Sequence, residues 1–386
     1  MKGYFRKRGE KWSFSIDLPR DPVTNQRKQK TVSGFKTKKE AEKACAALIT
    51  QIEQEEYVEP TKQTVAEFFK SWLAGKELSV KKVTYNTYSR HITLHIIPGL
   101  GHIELKKLSR DHILAFYKHL VQEKKLGDRT IFDIHGVLKR AIANAVEWQL
   151  VSRNVMKIVD TPKVAKKKIQ VWTFEECAKF REVSISDPLH IAFILGLTTG
   201  MRQSEVLGLS WQDVNLESME ISVRQTLDHE GTELQDGTKS DAGERLITLD
   251  EETVNELKRQ HKRIKADKFR LGASYEDNNL VVATKFGTPI RPRNLLRTMY
   301  RLMDAAKVKK IAFHDLRHTH ATLLLAQGVN PKIVSERLGH SNVKITLDTY
   351  SHVLPNMQKN TAAEFGRVFY QKEVAADKQG GQNVVN

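Results

Sequence analysis

Cysteine is scarce in this chain: Cys45 and Cys177 are the only two in 386 residues, far apart and without metal-ligand spacing. Neither a disulfide framework nor a zinc site is expected, and a reducing cytoplasm is the expected setting. Long apolar runs are missing too. No stretch approaches the roughly 20 residues that span a bilayer, so a membrane protein is not expected. The opening MKGYFRKRGEKWSF is basic but has no apolar segment behind it, and does not read as a signal peptide. There is no internal repeat or long low-complexity run. With 40% hydrophobic and 28% charged residues, the composition is that of a folded protein.

Negative charge is also in deficit. Lys and Arg number 63 against 46 Asp and Glu, a formal net charge of +17. A surplus of that size implies a polyanionic partner, most commonly nucleic acid. Its distribution is uneven. Residues 1–168 hold 34 basic and 18 acidic side chains; residues 169–386 hold 29 and 28. A basic front joined to a nearly neutral back reads as a DNA grip attached to something else.

The length predicts two or three domains, mainly α with small β elements (α+β). In the first, 1–58, Trp12, Phe14, Ile16 and Leu18 alternate with Ser13, Ser15 and Asp17 as in a strand. Asp21-Pro22 makes a turn, Arg27–Phe35 a second strand, and Thr37 caps a helix over about Lys38–Glu56. This strand-strand-helix module carries Arg6, Lys7, Arg8, Lys11, Arg27, Lys28 and Lys30 on or beside its strands, candidates to contact DNA. Residues 64–160 read as an all-α unit. Thr64 starts a helix with Val65, Phe68, Phe69, Trp72 and Leu73 on one face. Helical patterns follow over Lys82–His95, Ser109–Lys124 and Asp128–Glu147, with Ser109 and Asp128 as N-caps and Pro98-Gly99 as an interruption. Residues 161–168 read as a linker whose Lys166, Lys167 and Lys168 suit phosphates. A mostly helical domain covers 169–366, interrupted by a strand pair at Met219–Thr226 and Glu244–Leu249. A polar tail, 367–386, closes the chain.

Four segments of the back half, the last two adjoining, carry the chemistry. In TTGMRQSEVLGLSW a helix ends at Gly200, and Arg202 lies in the first turn of the next. A cation is disfavoured at that helix end unless an anion binds there, and Glu205 is one turn away to hold the guanidinium. In HDLRHTHATLLLAQG, His314, Arg317 and His318 share a helical face, a cluster that suits an anion better than a metal. In IVSERLGHSNVKITLDTYSHV, Gly339 suits a helix end with His340 after it, and Tyr350 follows on a helix. Each segment alone also fits a bland reading: a surface Arg–Glu pair, structural histidines at His318 and His320, a packing tyrosine at 350.

Together, in this order and spacing, the boxes resemble the tyrosine recombinases, the phage integrase family. The all-α part is similar to that family's core-type DNA-binding domain. The front module looks like the arm-binding domains of integrases from phages and integrative conjugative elements. The resemblance implies catalytic roles for Arg202, His314, Arg317, His340 and Tyr350, with Lys239 as the lysine of the hairpin loop (Lys285 or Lys258 in its place if that loop aligns differently). It implies a 3′-phosphotyrosyl intermediate, with His314 taking the tyrosine proton and Lys239 protonating the 5′ oxygen. No cofactor or metal is implied. The implied partners are double-stranded DNA attachment sites, three further copies in a homotetramer, and DNA-bending or excision accessory proteins. A non-catalytic DNA-binding regulator and a type IB topoisomerase-like enzyme are the alternatives.

Overall fold

Alternating large and small side chains from Trp12 to Leu18 form the central strand of a three-stranded antiparallel sheet. The computed structural model describes residues 3–18, 26–53, 62–165, 169–237, 243–350 and 361–370. Strand β2 (Lys11–Leu18) lies between β1 (Gly3–Arg8) and β3 (Lys28–Phe35), with Phe14 opposite both Phe5 and Val32. Helix α1 (Lys38–Glu53) sets Ala41 and Cys45 on Phe14 and Ile16. Thr37 accepts from the Glu40 amide, and the Glu40 carboxylate accepts from the Thr37 amide. The expected helix end at Glu56 lies outside the described residues. The module has three strands where two were expected. In β1 only Phe5 packs into the small core, so no alternation marks the strand, and a tight turn with Gly9 at φ 57° pairs it to β2.

The helices that follow bury their apolar stripes in one core. Helix α2 (Val65–Lys76) starts at a capping box, Thr64 and Glu67 each bonding the other's backbone. Its Trp72 indole donates to Asn144 Oδ1 at 2.9 Å. Helix α3 (Lys82–His91) does not stop before Pro98-Gly99. It passes through a π-helical turn, Ile92–Ile96, into α4 (Ile97–Leu100). The wider turn sends the Ile97 amide to the Ile92 carbonyl, and Pro98 then falls in the first turn of α4, where a missing N–H is tolerated. Ser109 caps α5 (Arg110–Gln122) as expected. At α6 (Asp128–Glu147) the cap position is Gly127, and Asp128 sits one residue inside, its carboxylate against the positive helix end.

The chain divides into two compact units, Met1–Lys166 and Lys167–Asn386. The second is built on α7 (Phe174–Ser184), α8 (His190–Thr199) and α9 (Gln203–Gly208), then small sheets, then α10 (Glu251–Leu271), α11 (Pro292–Ala306), α12 (Phe313–Ala326), α13 (Pro331–Leu338) and α14 (Val343–Tyr350). Trp172, Phe180, Phe193, Leu257, Met299 and Phe313 belong to its core. The expected strand pair is only part of what lies between α9 and α10. Strands β4 (Val214–Asn215), β5 (Glu220–Val223) and β8 (Arg245–Thr248) form one sheet in that order, while β6 (Gln225–Leu227) and β7 (Leu234–Asp236) form a separate hairpin. Residues 361–370 are helical, with Phe365 and Phe369 exposed. Among the described residues no helix is long and apolar enough to cross a membrane.

Candidate active site

Helix α8 ends at Gly200 in the left-handed conformation, φ 69°. A Cβ there would sit 2.6 Å from Leu338 Cδ2 and 2.9 Å from His320 Cδ2, so the close passage of α8, α12 and α13 requires glycine. The turn delivers two groups. The Gly200 carbonyl accepts from Arg317 Nη1 at 2.8 Å, and Arg202 becomes the N-cap of α9.

Glu205 organises the arginines. It is 1% exposed; its Oε1 lies 2.6 Å from Arg202 Nη1 and its Oε2 2.9 Å from Arg245 Nη2. Burial alone would raise its proton affinity, but Arg245 and then Arg202 outweigh that and hold it below the usual carboxylate range. Arg245 also donates to the carbonyls of Arg337 (2.8 Å) and Gly243 (2.9 Å), bracing the end of the β7–β8 loop. Arg337 in turn donates to the carbonyls of Thr248 and Thr198 and to His320 Nε2. His320 is thus a buried acceptor; burial and then Arg337 push it down to about 3.

Arg317 is the centre of the cluster. It is 2% exposed, and among the described residues its Nη2 has no hydrogen-bond partner. Burial, then the nearby Arg202, push its guanidinium down to about 9. A buried donor left unpaired beside like charge is costly unless an anion fills the place. His340 leaves the end of α13 after Gly339 (φ 68°) and shares a 2.8 Å hydrogen bond with Thr346 Oγ1. Burial, Arg317 and Arg202 push it down to about 4. Tyr350, at the end of α14, is 1% exposed among Ala321, Leu325, Val334 and Leu338. Burial pushes its phenol up to about 12, against the pull of Arg317.

The Tyr350 hydroxyl bonds His318 Nδ1 at 2.7 Å. The family resemblance implied that His314 takes this proton; among the described residues the ring in hydrogen-bond contact with the hydroxyl is that of His318. One turn earlier on α12, His314 keeps an exposed edge and packs its ring at 90° against His318, centroids 4.9 Å apart. Burial of its inner face, then His318 and Arg317, push it down to about 4. Lys239 lies outside the described residues. Its alternatives are on the surface: Lys285 is exposed over the Phe286 ring, and Lys258 is exposed on α10.

Comparison with known proteins gives three family matches. The phage integrase family matches residues 173–357, an Arm DNA-binding domain matches 4–52, and a phage integrase N-terminal SAM-like domain matches 64–121. The chain belongs to the phage integrase family. It is a tyrosine recombinase, an enzyme that cleaves and rejoins DNA at specific sites. It is 29% identical over 355 residues to a XerC-like tyrosine recombinase of Caldanaerobacter subterraneus, covering 86% of this chain and 90% of the relative. It is 28% identical over 364 residues to the ICEBs1 integrase of Bacillus subtilis, covering 92% and 97%. The fold resembles that of the Tn1549 transposon integrase in complex with circular intermediate DNA (TM-score 0.66, 22% identity, 79% of this chain and 99% of that one).

In this integrase the front basic residues are not all placed alike. Arg6, Arg8 and Lys11 are exposed, with Arg6 opposite Ser13 and Arg8 opposite Lys11; Lys7, opposite Trp12, is also exposed. Lys28 and Lys30 are half-buried, in register with Leu18 and Ile16 of the helix-covered face. Arg27 is held by both oxygens of Asp17, at 3.0 and 2.8 Å. Lys166, Lys167 and Lys168 lie outside the described residues. Sequence reasoning missed Arg245, though a signal existed. In β8 Ile247 is buried and Leu246 exposed, so period 2 points Arg245 inward with Ile247, and a buried arginine needs a carboxylate.

Proposed function

We propose that this integrase cuts DNA by attack of Tyr350 on a phosphodiester, forming a 3′-phosphotyrosyl bond and freeing a 5′ hydroxyl. Arg202 and Arg317 hold the nonbridging oxygens with forked donors and stabilise the charge that builds as the pentavalent phosphorus forms. His340 and His314 line the same anion site as hydrogen-bond donors. Lys239, on the loop whose end Arg245 braces, protonates the 5′ oxygen. The single observation that carries this reading is the buried Nη2 of Arg317, unpartnered beside Arg202, on the helix whose His318 holds the Tyr350 hydroxyl. An ester to tyrosine conserves the bond energy, so resealing needs no nucleotide.

The biological reading is integration and excision of a mobile element in the cytoplasm. Four protomers act on two attachment sites through a Holliday junction, aided by DNA-bending or excision proteins. The open face of the β1–β3 sheet, with Arg6, Arg8 and Lys11, serves arm-type DNA; residues 64–160 and the lysines of 161–168 grip core-type DNA. The test is covalent capture. Wild type and Tyr350→Phe are expressed in cells carrying the element, lysates are denatured, and protein-linked DNA is sequenced. Adducts from wild type alone, clustered at one sequence, are expected. Adducts from both proteins, or from neither when DNA binding is confirmed and a stalled substrate is used, would overturn the proposal.

A further inference from the structure

Under the recombinase reading, the Tyr350 phenol must lose a proton as it attacks, and the surroundings work against its doing so early. The ring is buried in an apolar cluster, and the phosphodiester that replaces solvent is an anion, which disfavours a phenolate further. Arg317 pulls the other way without restoring the ordinary value. The proton therefore leaves during O–P bond formation and needs an acceptor in contact with the oxygen.

We infer that His318 is that acceptor: its Nδ1 takes the proton of Tyr350 Oη in cleavage and returns it in rejoining. The 2.7 Å bond is within range for direct transfer. The imidazole is held in place from both sides. The His314 ring abuts it at 90°, and the Tyr350 ring meets it at 62°, centroids 5.7 Å apart. The charged and titratable groups around it are His314, Asp315 and Arg317 of its own helix, Tyr350 of α14 and His340 beyond α13. Burial outweighs the opposing pull of Asp315, and Arg317 adds a little to it, so proton affinity is lowered and the ring is neutral and able to accept at neutral pH. The imidazolium formed lies beside the phosphorane, whose added negative charge stabilises it.

The step balances. The Oη–H bond breaks and the proton passes to Nδ1. The Oη–P bond forms, the P–O5′ bond breaks, and the 5′ oxygen receives a proton from the Lys239 ammonium. In rejoining the 5′ hydroxyl attacks phosphorus as its proton returns to the Lys239 amine, and the imidazolium protonates the departing phenolate. His314 keeps its place as a donor at the anion site and abuts the His318 ring.

The test uses the full chain and a duplex carrying the sequence recovered by covalent capture, in two forms, one with the scissile 5′ bridging oxygen and one with sulfur in its place. A sulfur leaving group needs no protonation, so the substrate isolates the nucleophile's proton. Adduct formation in single turnover is followed from pH 5 to 9. Wild type is expected to rise and then level off above the titration of His318. His318→Asn keeps an acceptor oxygen but cannot take the proton. It is expected to fall on the order of 100-fold at neutral pH on both substrates and to climb with pH without levelling. His314→Asn, which loses a donor to the anion, is expected to lower the rate but to keep a profile that levels off. His318→Gln repeats the measurement if the Asn variant melts lower than wild type. A His318→Asn profile that matches wild type, or a deficit that vanishes on the sulfur substrate, overturns the inference while leaving the recombinase reading standing. No adduct from wild type on either DNA overturns both.

Discussion

Replacing Glu205 with Gln tests whether the arginine cluster is built around a single carboxylate. The side chain is 1% exposed and bonds two guanidiniums, Arg202 at 2.6 Å and Arg245 at 2.9 Å, and also the Arg202 amide at 2.8 Å. Glutamine keeps the shape but offers one acceptor oxygen, and its amide N–H groups must face a donor. Breaking a buried ion network by removing one partner costs about 3–5 kcal/mol. For a unit of this size, each kcal/mol moves Tm by roughly 2–4 °C, so a drop of roughly 6–20 °C is expected. The pH dependence supplies a second check. Glu205 is held below its ordinary range in the folded state. Its contribution is therefore complete above the unfolded carboxylate value of about 4.3 and is lost as pH falls through the lower, folded value. The gap between wild type and Glu205→Gln, measured by urea unfolding at several pH values, is expected to be full at pH 7 and to shrink in acid below about pH 4. A gap under about 1 kcal/mol at pH 7, or one that stays constant into acid, would refute the account of the cluster.

Gly200→Ala is expected to lower stability by about 1–3 kcal/mol in thermal unfolding, because φ is positive and the added methyl meets Leu338 and His320. Tyr350→Phe is expected to abolish the covalent adduct on a denaturing gel, leave DNA affinity unchanged, and lose about 0.5–1.5 kcal/mol with the hydrogen bond to His318. Changing Arg6, Arg8 and Lys11 together to Gln is expected to flatten the dependence of log affinity on log salt by up to about 2.7 for arm-type DNA, at about 0.9 per phosphate contact. An unchanged slope would remove the sheet face from the interface.

The two halves of the chain were legible to different degrees, for physical reasons. Capping residues and apolar stripes are local, so α2, α5 and α6 could be placed from Thr64, Ser109 and the periodicity alone, with only the cap of α6 misplaced, from Gly127 to Asp128. The π-helical turn at Ile92–Ile96 escaped because a proline reads as a stop, whereas its consequence depends on how the preceding turn widens. In the catalytic unit, the residues to watch were visible as boxes, and Glu205 was correctly paired with Arg202. The partner of Tyr350 was not visible. His314 and His318 are one turn apart on one face, and spacing along a helix cannot say which ring another helix will meet. That choice is made by the packing of α14 on Ala321 and Leu325, which sets Tyr350 over His318.

The site also has a consequence in time. Its parts are strung along the chain from Arg202 to Tyr350, nearly 150 residues apart. At about 5–20 residues per second of synthesis, roughly 7–30 s separate the first arginine from the nucleophile. Under the proposed mechanism, a growing chain thus holds its first arginine well before it holds the tyrosine that would cut. By the same mechanism, a chain cut short ahead of residue 350 would lack its nucleophile whatever else it had folded. Under that reading, the tyrosine is the last of the site residues to be made, and the order of synthesis delays cutting until the rest of the site exists.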